Sequence, residues 1–138
     1  MIVVDTSVLV QLLLPSAEAA LIEEVARLDE VWHAPALWRS ELRNVLVQQV
    51  RRGTLSLDAA HDCLLDAEQL LEVGTCDADP LHVVDLALES GCSAYDCEFV
   101  DVAVRLGAPL LTADRALLTA FRDVAVTPEQ FLRLHGRG

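Results

Sequence analysis

The sequence contains no lysine, and its Lys+Arg total of 10 against 22 acidic residues leaves a net charge of −12. A phosphate-binding loop, a Schiff-base enzyme and a receiver domain each normally require a lysine, so these three classes are excluded. A chain with this much negative charge also binds polyanions poorly over most of its surface. If the substrate is a nucleic acid, a local positive rim or a bound cation must hold it.

Long apolar runs are also missing, although 53% of the residues are hydrophobic. Asp5, Gln11, Pro15 and Glu18 interrupt the most hydrophobic end of the chain, so no stretch approaches the roughly 20 residues of a membrane span. The first residues have no basic segment before an apolar core, unlike a secretory signal. We therefore expect a protein of the cytoplasm without a membrane association.

The four cysteines lack the spacing of a zinc site. None forms a Cys-x-x-Cys pair, and no histidine lies close in sequence to two of them. Without a signal peptide they are expected to stay reduced, as small buried or half-buried residues. Zinc is excluded, and 138 residues with ample apolar material predict a single domain over residues 1–138.

Short β-branched segments alternate with helical ones along the whole chain. Strands are predicted at 2–4, 31–33, 71–73, 109–112 and 124–126. Helices are predicted at 6–14, 16–28, 36–52, 57–70, 80–90 and 95–106, and two shorter ones follow Arg115 and the capping sequence at Thr127. Ser16 is expected to cap the second helix, and Pro35 suits the first turn of the third. This alternation predicts an α/β fold, a three-layer α/β/α sandwich around a mainly parallel sheet.

Two aspartates directly follow predicted strands. Asp5 comes after Ile2-Val3-Val4, and Asp114 comes shortly after Leu110-Leu111-Thr112. Ligands of parallel sheets bind beyond the carboxyl ends of the strands, so both acids are expected at that end. Taken singly, each acid is explained as well by a turn, a helix cap or a solvated helix face.

Four segments in order resemble the PIN-domain nucleases, in particular the VapC-type toxins of toxin–antitoxin pairs. The resemblance spans essentially the whole chain and rests on Val3-Val4-Asp5-Thr6-Ser7, on residues 40–46, on residues 95–100 and on residues 107–114. It implies that the acidic metal-site and catalytic residues are Asp5, Glu41, Asp96 and Asp114. It also implies supporting roles for Thr6, Ser7, Asn44 and Thr112.

Physical chemistry leads to a similar site. Crowded carboxylates repel one another and call for a cation, and hard oxygen ligands favour Mg²⁺, for which Mn²⁺ may substitute. Such an ion lowers the pKa of its bound water and stabilises charge on a phosphate. Glu41 and Asn44 are three residues apart, which places them on one helix face. Asp101 departs from the family pattern, and its part in the site is left open.

The resemblance implies a metal-dependent endoribonuclease that acts on RNA as the toxin of a toxin–antitoxin pair. Its partners would be a small antitoxin and a second copy in a homodimer. Two alternatives stay open: a PIN-like domain that binds without cutting, and another Mg-dependent phosphohydrolase, which the missing Asp-x-Asp start and missing lysine disfavour. Arginines 39, 43, 51 and 52 form the densest basic stretch, which is either a solvated face or a phosphate-contacting stripe beside Glu41.

Overall fold

The computed structural model describes residues 1–136 and contains a five-stranded sheet in which every pairing is parallel. The strands are β1 (Ile2–Val4), β2 (Trp32–Pro35), β3 (Thr75–Cys76), β4 (Leu110–Leu111) and β5 (Ala125–Val126), in the order β3-β2-β1-β4-β5. The predicted α/β architecture with a parallel sheet flanked by helices is confirmed.

Eight helices of the described residues connect and cover these strands. They are α1 (Thr6–Leu13), α2 (Ala19–Leu28), α3 (Leu37–Arg51), α4 (Leu57–Leu71), α5 (Pro80–Ser90), α6 (Ala94–Leu106), α7 (Arg115–Ala120) and α8 (Pro128–His135). The chain moves from β1 outward to β3, then returns across the sheet to β4. Because such crossovers are right-handed, α1–α4 cover one face and α5–α7 the other. Contacts of α1 with α3 and α4, and of α6 with β1, β2 and β4, agree with this layering.

The core is apolar and includes the whole of β1, because both faces of a parallel sheet are covered. Trp38 is fully buried and Trp32 is 2% exposed, so both belong to this core. Cys63 and Cys97 are buried, Cys76 and Cys92 are half-buried, and all four are free thiols. No helix in the described part of the chain combines the length and apolarity that crossing a membrane requires.

Three predicted boundaries are wrong. Residues 71–73 are not a strand: α4 continues through Leu71, and Val73 lies in a turn with 96% of its surface exposed, so the strand begins at Thr75. Ser16 does not cap α2, because its hydroxyl donates instead to the carbonyl of Gln11 at 2.5 Å and α2 begins at Ala19. Pro35 ends β2, which spans 32–35 rather than 31–33, and α3 starts only at Leu37.

Candidate metal and nuclease site

The strand order reverses between β1 and β4, and both strands end in polar residues at that point. The chain leaves β1 toward β2 on one side, while β4 arrives on the other. Parallel sheets bind ligands beyond the carboxyl ends of the strands at such a reversal. Asp5 follows β1 directly, and Thr112 follows β4.

A hydrogen-bond network ties Asp5 to residues at the end of β4. The Thr112 hydroxyl donates to Oδ2 of Asp5 at 2.7 Å, and the Asp114 amide donates to the same hydroxyl at 3.0 Å. Ser7 donates to Oδ2 of Asp5 at 2.9 Å and accepts from the Ala113 amide at 3.1 Å. Asp5 occupies the N-cap position of α1 without capping it through its side chain, so its carboxylate faces these hydroxyls instead.

Glu41 reaches the same region from α3. The hydroxyl of Thr6, the first residue of α1, donates to Oε1 of Glu41 at 2.7 Å across 35 residues of sequence. Thr6 is itself buried. Since Thr6 adjoins Asp5 in the chain, this bond holds the Glu41 side chain next to the carboxyl end of β1.

Asp114 and Asp96 both lie at the N-terminal ends of helices. Asp114 caps α7, with Oδ1 accepting from the amides of Ala116 and Leu117 at 2.8 and 3.2 Å. Both of these bonds use the same oxygen of Asp114. Asp96 lies in the first turn of α6, whose N-cap is Ser93, so its charge is favoured by the helix dipole.

Electrostatic repulsion links the four acids. Burial raises the pKa of Asp5 above 3.8, and the nearby charge of Asp96 raises it further, although hydrogen bonds from Thr112 and Ser7 oppose this. Burial also raises the pKa of Glu41, with added repulsion from Asp5 and Asp96. For Asp96, burial is again the main cause of a raised pKa, followed by repulsion from Asp114. The cluster therefore holds more negative charge than its surroundings compensate.

The donor set suits a hard divalent cation, but its side chains are not gathered around one point. Carboxylate oxygens with raised pKa values favour a cation, since the ion removes the repulsion that raises them. Within residues 1–136, no group of three or more His, Cys, Asp or Glu side chains has a geometry that could hold a metal ion. Mg²⁺ usually takes only one or two protein carboxylates and completes its shell with water, so a bound ion would not need all four acids around one point.

Two predicted residues stand apart from the network. Asn44 shares a side of α3 with Glu41, but its side chain is exposed, and no hydrogen bond joins it to the acids in the described residues. Asp101 is fully buried and bonded elsewhere, accepting from the Asp79 amide at 2.8 Å, from Nε of Arg105 at 3.0 Å, and pairing with Nδ1 of His82 at 2.6 Å. It joins α5 to α6.

One acid near the site was not identified from the sequence. Glu98 is half-buried on α6, and its charge contributes to the raised pKa of Glu41. It lies two residues after Asp96, inside a segment that was singled out, but an exposed helix face explained it equally well. Only the tertiary structure, which brings the charge of Glu98 near Glu41, distinguishes the two placements.

Surface shape does not mark this site. A groove of about 990 Å³ lies between α2 and α8, and a second of about 520 Å³ lies beside α7 and α8. Neither is lined by any of the acids or by their hydroxyl partners. Charge and hydrogen bonding, rather than concavity, identify the candidate site.

A family model, a relative and a solved structure all match this chain over most of its length. A model of the PIN domain matches residues 2–126. Ribonuclease VapC3 of Pyrobaculum aerophilum is 31% identical over 130 residues, which cover 92% of this chain and 98% of that protein. PAE2754, whose crystal structure comes from the same organism, matches with a TM-score of 0.78 and 26% identity, over 99% of this chain and 96% of that one.

Two more distant structures share the fold. A toxin–antitoxin complex from Klebsiella pneumoniae matches with a TM-score of 0.66 and 16% identity, over 93% of this chain and 98% of that one. FitAcB from Neisseria gonorrhoeae matches with the same TM-score and 19% identity, over 94% and 99% of the two chains.

Proposed function

We propose that this chain, which belongs to the PIN-domain family, is an endoribonuclease that hydrolyses RNA phosphodiester bonds with the help of a divalent cation. The observation that carries the proposal is the group of acids at the carboxyl ends of β1 and β4, whose mutual repulsion is not offset by any cationic side chain of residues 1–136. The ribonuclease name of a relative that is 31% identical supports the choice of RNA.

The cation would be held by Asp5, Asp96 and Asp114, with Glu41 completing the set. Mg²⁺ fits these hard oxygen donors, and Mn²⁺ is expected to replace it. When bound, such an ion acidifies a water molecule and neutralises charge on the phosphate.

The chain's own hydroxyls position these acids. Thr112 and Ser7 both donate to Oδ2 of Asp5, which leaves Oδ1 directed elsewhere. Thr6 fixes Glu41 in the same way through Oε1. The hydroxyls therefore hold Asp5 and Glu41 through one oxygen each, and we propose that the other oxygen binds the ligand. We assign the three hydroxyl residues positioning roles, and for Asn44 we propose a role at the rim of the site.

We also propose that the protein acts as a toxin whose partner is a small antitoxin protein. The relative's name, ribonuclease VapC3, and the likeness to a chain of a toxin–antitoxin complex support this assignment. Uncompensated carboxylates suggest how inhibition would work, since a basic residue of the partner would take the place of the cation. We propose that the reaction takes place in the cytoplasm, where RNA is available.

Self-association is part of the proposal, together with a single domain over residues 1–138, of which 137 and 138 lie outside the described residues. One continuous core supports the single domain. Leu81, Val84 and Leu88 form an exposed apolar stripe on α5, with 78%, 53% and 81% of their surfaces accessible. Such a stripe favours contact with a second copy. Leu88→Glu is expected to convert a homodimer to monomer in light scattering, and an unchanged mass would exclude this surface.

A PIN-like domain that binds RNA or protein without cutting it is the second candidate. The absence, among residues 1–136, of a side-chain group able to hold a metal favours it. The two candidates differ in one measurable respect, because only the enzyme shortens RNA when a divalent cation is supplied.

The experiment compares wild type with Asp5→Asn and Asp96→Asn on single-stranded RNA, with Mg²⁺, with Mn²⁺ and with EDTA. Asp85→Asn, the same chemical change at an exposed position of α5, is the matched control. We expect cleavage by wild type and the control only, and only with a cation. Cleavage that survives EDTA or Asp5→Asn would reject the mechanism, and intact RNA under all conditions would favour the binding domain.

A further inference from the structure

The arginines of this acidic chain are unequally available to a phosphate. Arg39 donates to both oxygens of Glu68 on α4, at 2.7 and 3.1 Å, and its guanidinium lies 5.2 Å from the ring centre of Trp38. Arg105 is bonded to Asp101. In residues 1–136, Arg43, Arg51 and Arg52 are exposed and form no ion pair, so α3 carries three of the uncommitted positive charges.

Helix geometry divides these arginines between two sides of α3. Successive residues are about 100° apart, so Gln48 and Arg52 lie within about 20° of Glu41 around the helix axis. Arg43 lies about 160° away from Glu41, on the side where Arg39 meets Glu68. The four arginines therefore do not form one stripe beside Glu41: only Arg52 continues the Glu41 side, with Arg51 about 80° from it around the helix axis.

The side of α3 that carries Glu41 begins at the acidic site. Thr6 bonds to Glu41, so this side begins at the carboxyl end of β1. Beyond it follow Asn44, Gln48, Arg51 and Arg52, which are all exposed. Apart from Glu41 itself, α3 contains no acidic residue. A polar path with positive charge at its far end thus leads away from the acids for about 16 Å, at 1.5 Å per residue.

We propose that this side of α3 binds the backbone of the single-stranded RNA substrate, with Gln48 and Arg52 as its phosphate contacts and Arg51 beside them. The inference rests on the proposed function and deepens it by naming substrate contacts outside the acidic site. A chain that reaches from the scissile phosphate to Arg52 must extend several nucleotides. Short substrates therefore lack this contact, and the path selects for longer ones.

The alternative explanation is that Arg51 and Arg52 only stabilise the helix, because cations at a helix C-terminus interact favourably with its dipole. That role affects the free energy of unfolding and leaves RNA binding unchanged. The two explanations therefore differ in the quantity that responds to substitution.

The test measures binding of the full chain to fluorescent single-stranded RNA by anisotropy in EDTA, at several salt concentrations. Arg52→Gln is compared with Arg43→Gln, which makes the same charge change on the opposite side of the same helix. We expect Arg52→Gln to weaken binding of a dodecamer several-fold and to reduce the slope of log K against log salt by about 0.7. Arg43→Gln should leave the slope unchanged, and Arg52→Lys should restore binding.

A trinucleotide supplies the second arm, because its affinity should not respond to Arg52→Gln. Two results would overturn the proposal: an equal loss of RNA affinity in Arg52→Gln and Arg43→Gln, or an Arg52→Gln variant whose melting temperature falls while its RNA affinity is unchanged. Cleavage is measured separately with Mg²⁺. If RNA binding depends on Arg52 but no RNA is cleaved, the nuclease function is rejected and the RNA-binding side of α3 is retained. If RNA is cleaved and neither binding nor cleavage responds to Arg52, the nuclease function is retained and the RNA-binding side of α3 is rejected.

Discussion

Asp5 and Asp101 are both almost completely buried, with 6% and 0% of their surfaces exposed, yet their surroundings differ. Burial alone raises the pKa of a carboxyl group. At Asp101 this effect is outweighed by the Asp79 amide, His82 and Arg105, which hold its pKa below 3.8. At Asp5 the partners are two neutral hydroxyls, other acids lie nearby, and the pKa is raised.

The difference separates a structural carboxylate from one that is left for a ligand. Asp101 has its countercharge built into the chain and uses it to hold α5 against α6. Asp5 receives orientation from the chain but no countercharge. A buried acid that the protein orients without neutralising is one whose missing partner comes from outside.

The largest expected effect is on catalysis. Asp5→Asn should reduce RNA cleavage by about 10³-fold or more, because several kcal/mol of cation-dependent stabilisation is lost at about 1.4 kcal/mol per factor of ten. Initial rates on a labelled oligonucleotide measure this. Asp5→Asn should keep its melting temperature, since it removes repulsion, and a variant that unfolds would make the activity loss structural.

Asp101→Asn should show the reverse pattern. Removing the charge leaves Arg105 and His82 without their partner, and we expect a loss of about 2 kcal/mol in the free energy of unfolding. Urea denaturation checks this. Below its melting temperature the variant should cleave RNA at nearly the wild-type rate. A stable but inactive Asp101→Asn would extend the active site along α6 to Asp101 and contradict the separation.

Cation binding should stabilise one region and not the other. At a Mg²⁺ concentration ten times its dissociation constant, the folded state gains about 1.4 kcal/mol, which calorimetry detects as a higher melting temperature. Asp5→Asn should lose this gain, and Asp101→Asn should retain it. An identical gain in both variants would place the cation elsewhere.

The smallest effect is a pair of opposite pH dependences of the free energy of unfolding, measured in EDTA. Asp5 has a raised pKa, so the unfolded chain loses its proton first as pH rises above 3.8, and stability falls. Asp101 has a lowered pKa, so its contribution is present above 3.8 and is lost as pH falls. Asp5→Asn should remove the fall in stability at rising pH, and Asp101→Asn should remove the fall in stability at low pH. If each substitution removed the other dependence instead, the comparison of the two acids would be refuted.

The sequence predicted the strands that carry the site because their residues are apolar on both faces and are bounded by turn residues. Ile2-Val3-Val4 and Leu110-Leu111 are such segments, and the capping sequences before α5, α6 and α8 fixed where those helices begin. The segment 71–73 was misassigned because β3 is only two half-buried residues long and gives almost no hydrophobic pattern.

Contacts between segments far apart in the chain could not be predicted from the sequence. The bond between Thr6 and Glu41 depends on how α3 packs on α1, and the placement of Asp101 depends on Asp79 and His82 from another helix. Gly74 shows the same limit: a Cβ there would lie 1.8 Å from the carbonyl oxygen of Trp32, a close approach that turn chemistry alone does not indicate.

The bond between Thr112 and Asp5 spans 107 residues, and its consequence concerns synthesis. Contacts of such sequence separation form late, after the intervening chain has become available. A growing polypeptide that has not yet completed β4 has Asp5 but neither Thr112 nor Asp114. If the chain is a ribonuclease, the ribosome that makes it therefore carries an incomplete catalyst until the last quarter of the sequence has emerged.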